Sequence, residues 1–220
     1  MSELPFEVRH ELAGWALYWA LLEPAPNAAE STGDTLAELR RRTADQVKKR
    51  LRLDSLATEP AVAELRRLFR SAGTDPTRYR PSSEALLRRL LKGRELPALH
   101  PFVDINNCLS ALLPAPCCVM DEQAIEPPFE LRAGSTNEFY ESLKGPFRLE
   151  SRPVLVDAAG PCDSPITGSA RVKVGPRTER AWLVAYLPAS IIEPRHAERL
   201  LFDLLEAAPV ATVAVSSAST

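Results

Sequence analysis

Residues able to move protons or grip a polar ligand fall into three stretches of the 220-residue sequence. In LHPFVDINN, His100 titrates near neutral pH and is a candidate base, while the amides of Asn106 and Asn107 are suited to holding an amino group or a water. Each has a plainer reading: Pro101 holds His100 in extended backbone with no carboxylate paired to it in sequence, and Asn at a strand-to-helix junction serves as a cap. Asp104 follows two apolar residues and reads as a carboxylate that ties down a turn. In the second stretch Cys118 is a nucleophile by type, but no basic neighbour activates it, and a thiol packed as a small hydrophobe is the competing assignment. The third stretch holds Glu138 in NEFYE and the loop GPCDSPITGSAR. There Ser164, Thr167 and Ser169 offer hydroxyls to a ligand and Arg171 offers a cation to an anion; the same hydroxyls also suit the turns of a Pro/Gly loop.

A second kind of chemistry is electrostatic. From Arg40 to Glu95 the sequence carries 16 Lys and Arg against 7 Asp and Glu, a local charge of +9 on a chain whose net charge is -2. Clustered cations supply most of the sequence-independent affinity for nucleic acid phosphates. Arg40, Arg41, Lys48, Lys49, Arg88 and Arg89 are therefore candidate phosphate contacts, or else solvated faces of amphipathic helices. Arg78 and Arg80 flank Tyr79, a cluster that fits phosphate gripping with base stacking. Alternatively, Tyr79 packs on the next helix and Arg80 pairs with Glu84.

The elements that must position these groups are legible in part. GWALYWALLE reads as a strand ending in the loop PAPNAAESTGD. Leu36, Leu39, Thr43, Val47 and Leu51 recur at helical spacing and predict a helix over 35–53 with a basic outer face. Further helices are expected over 60–72, stopped by Gly73, from Pro81 to Gly93, over 106–113, and over 194–207. The short runs FVDI, FELR, FRLE, PVLVDA, ARVKV and RAWLVAYL predict a mainly antiparallel sheet, and VATVAVSSAST an edge strand fraying into a tail. His10 and His196 sit in polar contexts that suggest surface positions.

With 45% hydrophobic and 25% charged residues, the composition is that of a globular protein able to bury a core, and one α+β domain spanning 1–220 is expected. No run approaches the roughly 18 apolar residues of a membrane span, and the acids in MSELPFEVRHELAG do not suit a signal peptide, so a cytoplasmic location and no membrane partner are expected. Cys108, Cys117, Cys118 and Cys162 form neither a disulfide framework nor a CxxC metal motif.

From Arg78 to about Pro188 the sequence resembles the B3/B4 tRNA-editing domain of the phenylalanyl-tRNA synthetase beta subunit, standing without the rest of a synthetase. LHPFVDINN, a Leu-rich turn, Pro116 and Asp121 are similar to that domain's NPVVDITN…P…D signature. DPTRYRPSSEALLRRLLKG upstream, and LRAG…NE, VLVDAAGP, Ser164-Pro165 and SARVKV downstream, follow in family order. The resemblance implies an α+β fold with sheets and helices around a pocket for a mischarged aminoacyl group. It also implies tRNA or aminoacyl-tRNA as partner, no metal or organic cofactor, and, if the protein is an enzyme, ester hydrolysis; a non-catalytic binding module is the alternative. Two departures stand near the expected chemistry. Cys118 replaces a family histidine, and the Ser-Asp-Ser-x-Arg-Thr run of freestanding relatives becomes Thr167 to Val172, losing its acid and final hydroxyl.

Overall fold

The computed structural model describes residues 3–26 and 32–220; the part of the expected PAPNAAESTGD loop at 27–31 lies outside them. Strand β2 (Trp15–Pro24) sets the architecture. Its run is apolar at every position rather than every second one, and Trp15 through Leu22 are all buried, so both faces must be covered. It pairs antiparallel with β9 (Ala181–Pro188) on one side and β10 (Ala211–Ser219) on the other; β9 then pairs with β3 (Cys117–Asp121), giving the order β10-β2-β9-β3.

One face of this sheet, with Ala16, Tyr18, Leu22, Leu183 and Leu187, packs on the helices α1 (Thr32–Arg50), α3 (Ser82–Leu91), α4 (Pro101–Leu112) and α5 (Pro194–Ala207). The opposite face, with Leu17, Trp19, Trp182, Val184 and Tyr186, meets α2 (Pro60–Ser71) and a second sheet. That sheet has the order β1 (Val8–His10), β4 (Phe129–Ala133), β7 (Pro153–Asp157), β8 (Gly160–Asp163), with β1 parallel to β4 and the other pairs antiparallel. A hairpin of β5 (Phe139–Ser142) and β6 (Gly145–Arg148) completes an α+β fold of helices, sheet and sheet. No helix among the described residues is long and apolar enough to cross a membrane.

Four expectations are corrected. FVDI is not a strand but the opening of α4, because Pro101 occupies the first turn and His100, extended at φ -150°, caps it by accepting the Phe102 N–H on Nδ1 at 3.3 Å. Phe102, Ile105 and Leu109 then lie on one helical face, a spacing that four residues of alternation imitate. ARVKV meets β3 at a single bridge, Met120 with Lys173, before the chain turns at Gly175. The C-terminal strand stays paired as far as Ser219, whose hydroxyl meets His10 Nε2 at 2.9 Å and accepts from Trp19 Nε1 at 3.2 Å. His10 is accordingly half-buried, whereas His196 is exposed as expected.

Backbone closeness is sharpest at Gly134, after β4, where an added Cβ lands 2.0 Å from the Leu149 carbonyl oxygen. Gly134→Ala is expected to cost about 3 kcal/mol, the cost of forcing extra volume into packed backbone. A denaturation midpoint equal to that of the parent protein would refute the close approach.

Candidate functional site

β3 is an edge strand, bridged by the 172–173 segment at its Met120–Asp121 end, and its Cys117–Val119 portion borders a cleft of about 560 Å³. The Tyr186 N–H bonds the Pro116 carbonyl across β9, so by alternation Cys117 and Val119 turn their backbone groups outward, and the Asn106 amide donates to the Cys117 carbonyl at 3.3 Å. α4 supplies one wall with Val103, Asn106 and Asn107. The segment Gly168–Pro176 supplies the other, and Leu99 and Leu143, each 69% exposed, stand at the rim. Much of the lining is hydrocarbon, from Val103, Val119, Val172, Val174 and Pro176, with His100, both asparagines, Ser169 and Lys173 as its polar groups.

The cleft thus brings together His100, Asn106, Asn107, Ser169 and Cys118 from distant parts of the chain. Asn106 is buried with its Oδ1 unpartnered among the described residues. Burial pulls the His100 imidazole below its usual pKa, against a smaller opposing effect of Asp104. Burial pushes the Cys118 thiol well up, so it is no ready nucleophile.

Other sequence candidates lie elsewhere. Glu138 forms a bidentate pair with Arg132, at 2.9 and 2.6 Å, and borders a separate recess beside Phe139 and Arg148. The Ser164 hydroxyl donates to the Thr167 carbonyl at 3.0 Å and meets the Tyr140 hydroxyl at 3.1 Å, which holds the loop in a turn. Arg171 ties Asp157 (2.8 Å) to the Ala124 carbonyl (2.9 Å).

Among the basic candidates, Arg40 turns inward to a buried pair with Asp104, whose other oxygen accepts the Leu99 N–H at 3.0 Å. Arg41 pairs with Glu38 and Asp45 on the surface. Arg80 and Arg88 both meet the buried Glu84. Tyr79 is stacked by Arg152, 3.7 Å from its ring centre, and touched edge-on by Phe147, while Arg78 sits 5.2 Å from the same ring. Lys48 and Lys49 are exposed, with no ion pair among the described residues.

Lys48 and Arg89 border a groove of about 480 Å³ between α1 and the connector before α4, together with Arg40, Arg41 and Arg94. Arg89 also lines a recess of about 320 Å³ with Ser82 and Lys144, and that recess shares Asn107 and Cys117 with the cleft. The three concavities are therefore neighbours that share wall residues.

One group escaped the sequence reading. Asp163, the last residue of β8, is 0% exposed between the two sheets; its Oδ2 accepts the Tyr186 hydroxyl at 2.5 Å, and Oδ1 has no conventional donor among the described residues. The Cys118 thiol lies against the carboxyl, and a Cβ added to Gly168 would sit 3.3 Å from Oδ1 and 3.7 Å from Cys118 Sγ. Cys118 and Gly168 are both cleft wall. Desolvation pushes the Asp163 carboxyl up to about 7. Tyr186 was the available signal: a phenol in the otherwise apolar RAWLVAYL run needs a partner once buried.

Helices over two sheets, with a cleft beside an edge strand, make an α+β domain. Residues 64–200, more than half of the chain, match the B3/4 domain family, and the chain belongs to it. Among solved structures it is similar to an N-terminal fragment of the phenylalanyl-tRNA synthetase beta subunit from Pyrococcus horikoshii. The two share a TM-score of 0.50 and 12% identity over 99% of this chain, which spans 55% of that one. A search of curated protein sequences returned no match.

Proposed function

We propose that this protein, working as one B3/4 unit in the cytoplasm, binds the aminoacylated 3′ end of a tRNA. The acyl group would rest in the cleft of α4, β3 and Gly168–Pro176, with phosphates along the basic groove. The observation that carries this reading is the adjacency of the three concavities: an apolar cleft bordered by amides shares Asn107 and Cys117 with a recess that in turn shares Arg89 with a groove rich in Arg and Lys. An acyl group with an apolar side chain suits the first, and a sugar-phosphate strand the last. The tRNA-linked name of the structural neighbour supports the same partner.

The test compares binding of one tRNA in charged and uncharged forms across a salt series. Charged tRNA binds more tightly, and log affinity falls linearly with log salt. Reversing Lys48 and Lys49 to Glu flattens that slope, by roughly 0.7 for each phosphate of single-stranded RNA that is no longer neutralised. Equal affinity for both forms would remove the acyl group from the cleft; a slope unchanged by the double reversal would remove phosphates from the groove. A second reading, ester hydrolysis, is favoured by the Asp163 carboxyl beneath the cleft.

A further inference from the structure

Asp163 combines features that a purely structural carboxylate lacks. It is fully buried, yet no Lys or Arg among the described residues pairs with it, although an unpaired buried carboxylate is costly. One oxygen is fixed by the Tyr186 hydroxyl from β9; Oδ1 has no well-formed hydrogen bond among the described residues, with the Cys118 thiol and the Ser164 N–H as the donors against the carboxyl, and it lies toward two residues of the cleft wall. The register of β3 on β9 sets Cys118 opposite Val184, so Cys118 and Tyr186 are diagonal neighbours on one face, and the carboxyl is held against both. At position 168 a glycine leaves the backbone bare where any side chain would close over Oδ1. A proton acceptor oriented by a second group, beside a cleft, is the arrangement that water activation requires.

We infer that Asp163 is the general base of an ester hydrolysis carried out in the cleft, with Tyr186 its positioning residue. The inference rests on the reading that the cleft holds an aminoacyl ester. Asp163 stands behind the cleft wall and does not itself line the cleft, so the mechanism includes a rotation of the Cys118 thiol that opens Oδ1 to a water. A water hydrogen-bonded to Oδ1 then attacks the ester carbonyl carbon. Its oxygen forms the new C–O bond as its proton passes to Oδ1, and the carbonyl electron pair moves onto oxygen. Collapse of the tetrahedral adduct breaks the bond to the ribose oxygen, which takes the proton from Asp163 and leaves as the hydroxyl. The amino acid is released as a carboxylate with a further proton lost to solvent, so atoms and charge balance. No cofactor is consumed.

The groups facing Asp163 are Tyr186 on β9, Cys117 and Cys118 on β3, Cys162 on β8 and Tyr140 on β5. All have pKa values raised by burial, so they are uncharged at neutral pH and leave Asp163 as the titrating group. His100 and Lys173 are the titratable side chains of the cleft lining besides the cysteines. Burial in this uncharged shell places the carboxyl's ionisation near neutrality, where a base is both deprotonated and strong enough to act.

The experiment is single-turnover hydrolysis of tRNA charged with each standard amino acid in turn, using native protein and Asp163→Asn, with binding of the same tRNAs measured in parallel. At least one ester is hydrolysed by the native protein, at a rate that rises with pH and levels above about 7. Asp163→Asn lowers that rate by about 100-fold or more while its affinity for the charged tRNA stays within about threefold. Intact-mass measurement during turnover finds no acylated protein. Native-rate hydrolysis by Asp163→Asn, or an acyl adduct on Cys118, overturns the assignment. Binding of charged tRNA with no ester hydrolysed overturns the base and leaves the binding function standing; failure of all charged tRNAs to bind overturns both.

Discussion

Asp163→Asn stabilises the folded protein at pH 8 by up to about 4 kcal/mol and leaves it unchanged at pH 3. The carboxyl titrates near 3.8 when free and at about 7 in the fold, a gap of roughly 3 units at about 1.4 kcal/mol each. Below 3.8 both the unfolded and folded states hold the proton, and the residue makes no pH-dependent contribution. Between 3.8 and 7 the unfolded chain has released its proton while the folded protein retains it, so stability declines as pH rises, levelling above 7. Asn does not titrate, and its amide oxygen still accepts the Tyr186 hydroxyl. The difference between the two proteins therefore opens across that window. Urea denaturation at pH 3, 5 and 8 reads it directly. A difference that is flat with pH would place the Asp163 ionisation at an ordinary carboxylate value and remove the physical reason for regarding the site as strained. A fold that retains such a penalty is sacrificing stability at a place where function is expected.

Glu84→Ala lowers stability by about 3 kcal/mol, the cost of leaving three crowded, half-buried guanidinium groups without their buried counter-charge. Glu84 is 0% exposed on α3 and holds three guanidinium groups: Arg66 of α2 at 2.9 and 3.1 Å, Arg88 at 2.9 Å and Arg80 at 3.3 Å. Removing the carboxylate leaves three arginines facing a void between α2 and α3. Glu84→Gln keeps the volume and loses the charge, and falls between Ala and the native protein. Because Glu84 and its Arg66 pair are largely out of water, 0.5 M salt removes only part of the loss, unlike a surface pair. A loss under about 1 kcal/mol in equilibrium denaturation, or one abolished by salt, would reduce the network to ordinary surface pairing. The consequence for function is direct. Arg80 and Arg88 are candidate phosphate contacts by sequence, but their charge is spent on Glu84, and Arg40 and Arg41 are paired as well, so the groove cations without an ion pair among the described residues are Lys48, Arg89 and Arg94.

Short motifs carried the family resemblance, and buried partners decided which polar side chains are tied up. The sequence by itself determined the α+β class, a strand in GWALYWALLE, and the helices over 60–72 and 194–207, because periodicity and capping are local properties. It placed the Arg80–Glu84 pair among its alternatives for the same reason, since i and i+4 meet on any helix. It misread FVDI because four residues satisfy either period, and it divided residues into site and scaffold without knowing which faces would meet. Tertiary structure alone sent Arg40 to Asp104, Glu138 to Arg132 and Arg171 to Asp157. It alone brought Asp163, Cys118 and Tyr186 together from three separate strands. The raised ionisation of Asp163 is a property of the space between two packed sheets, and no spacing along a chain encodes the loss of water from that space.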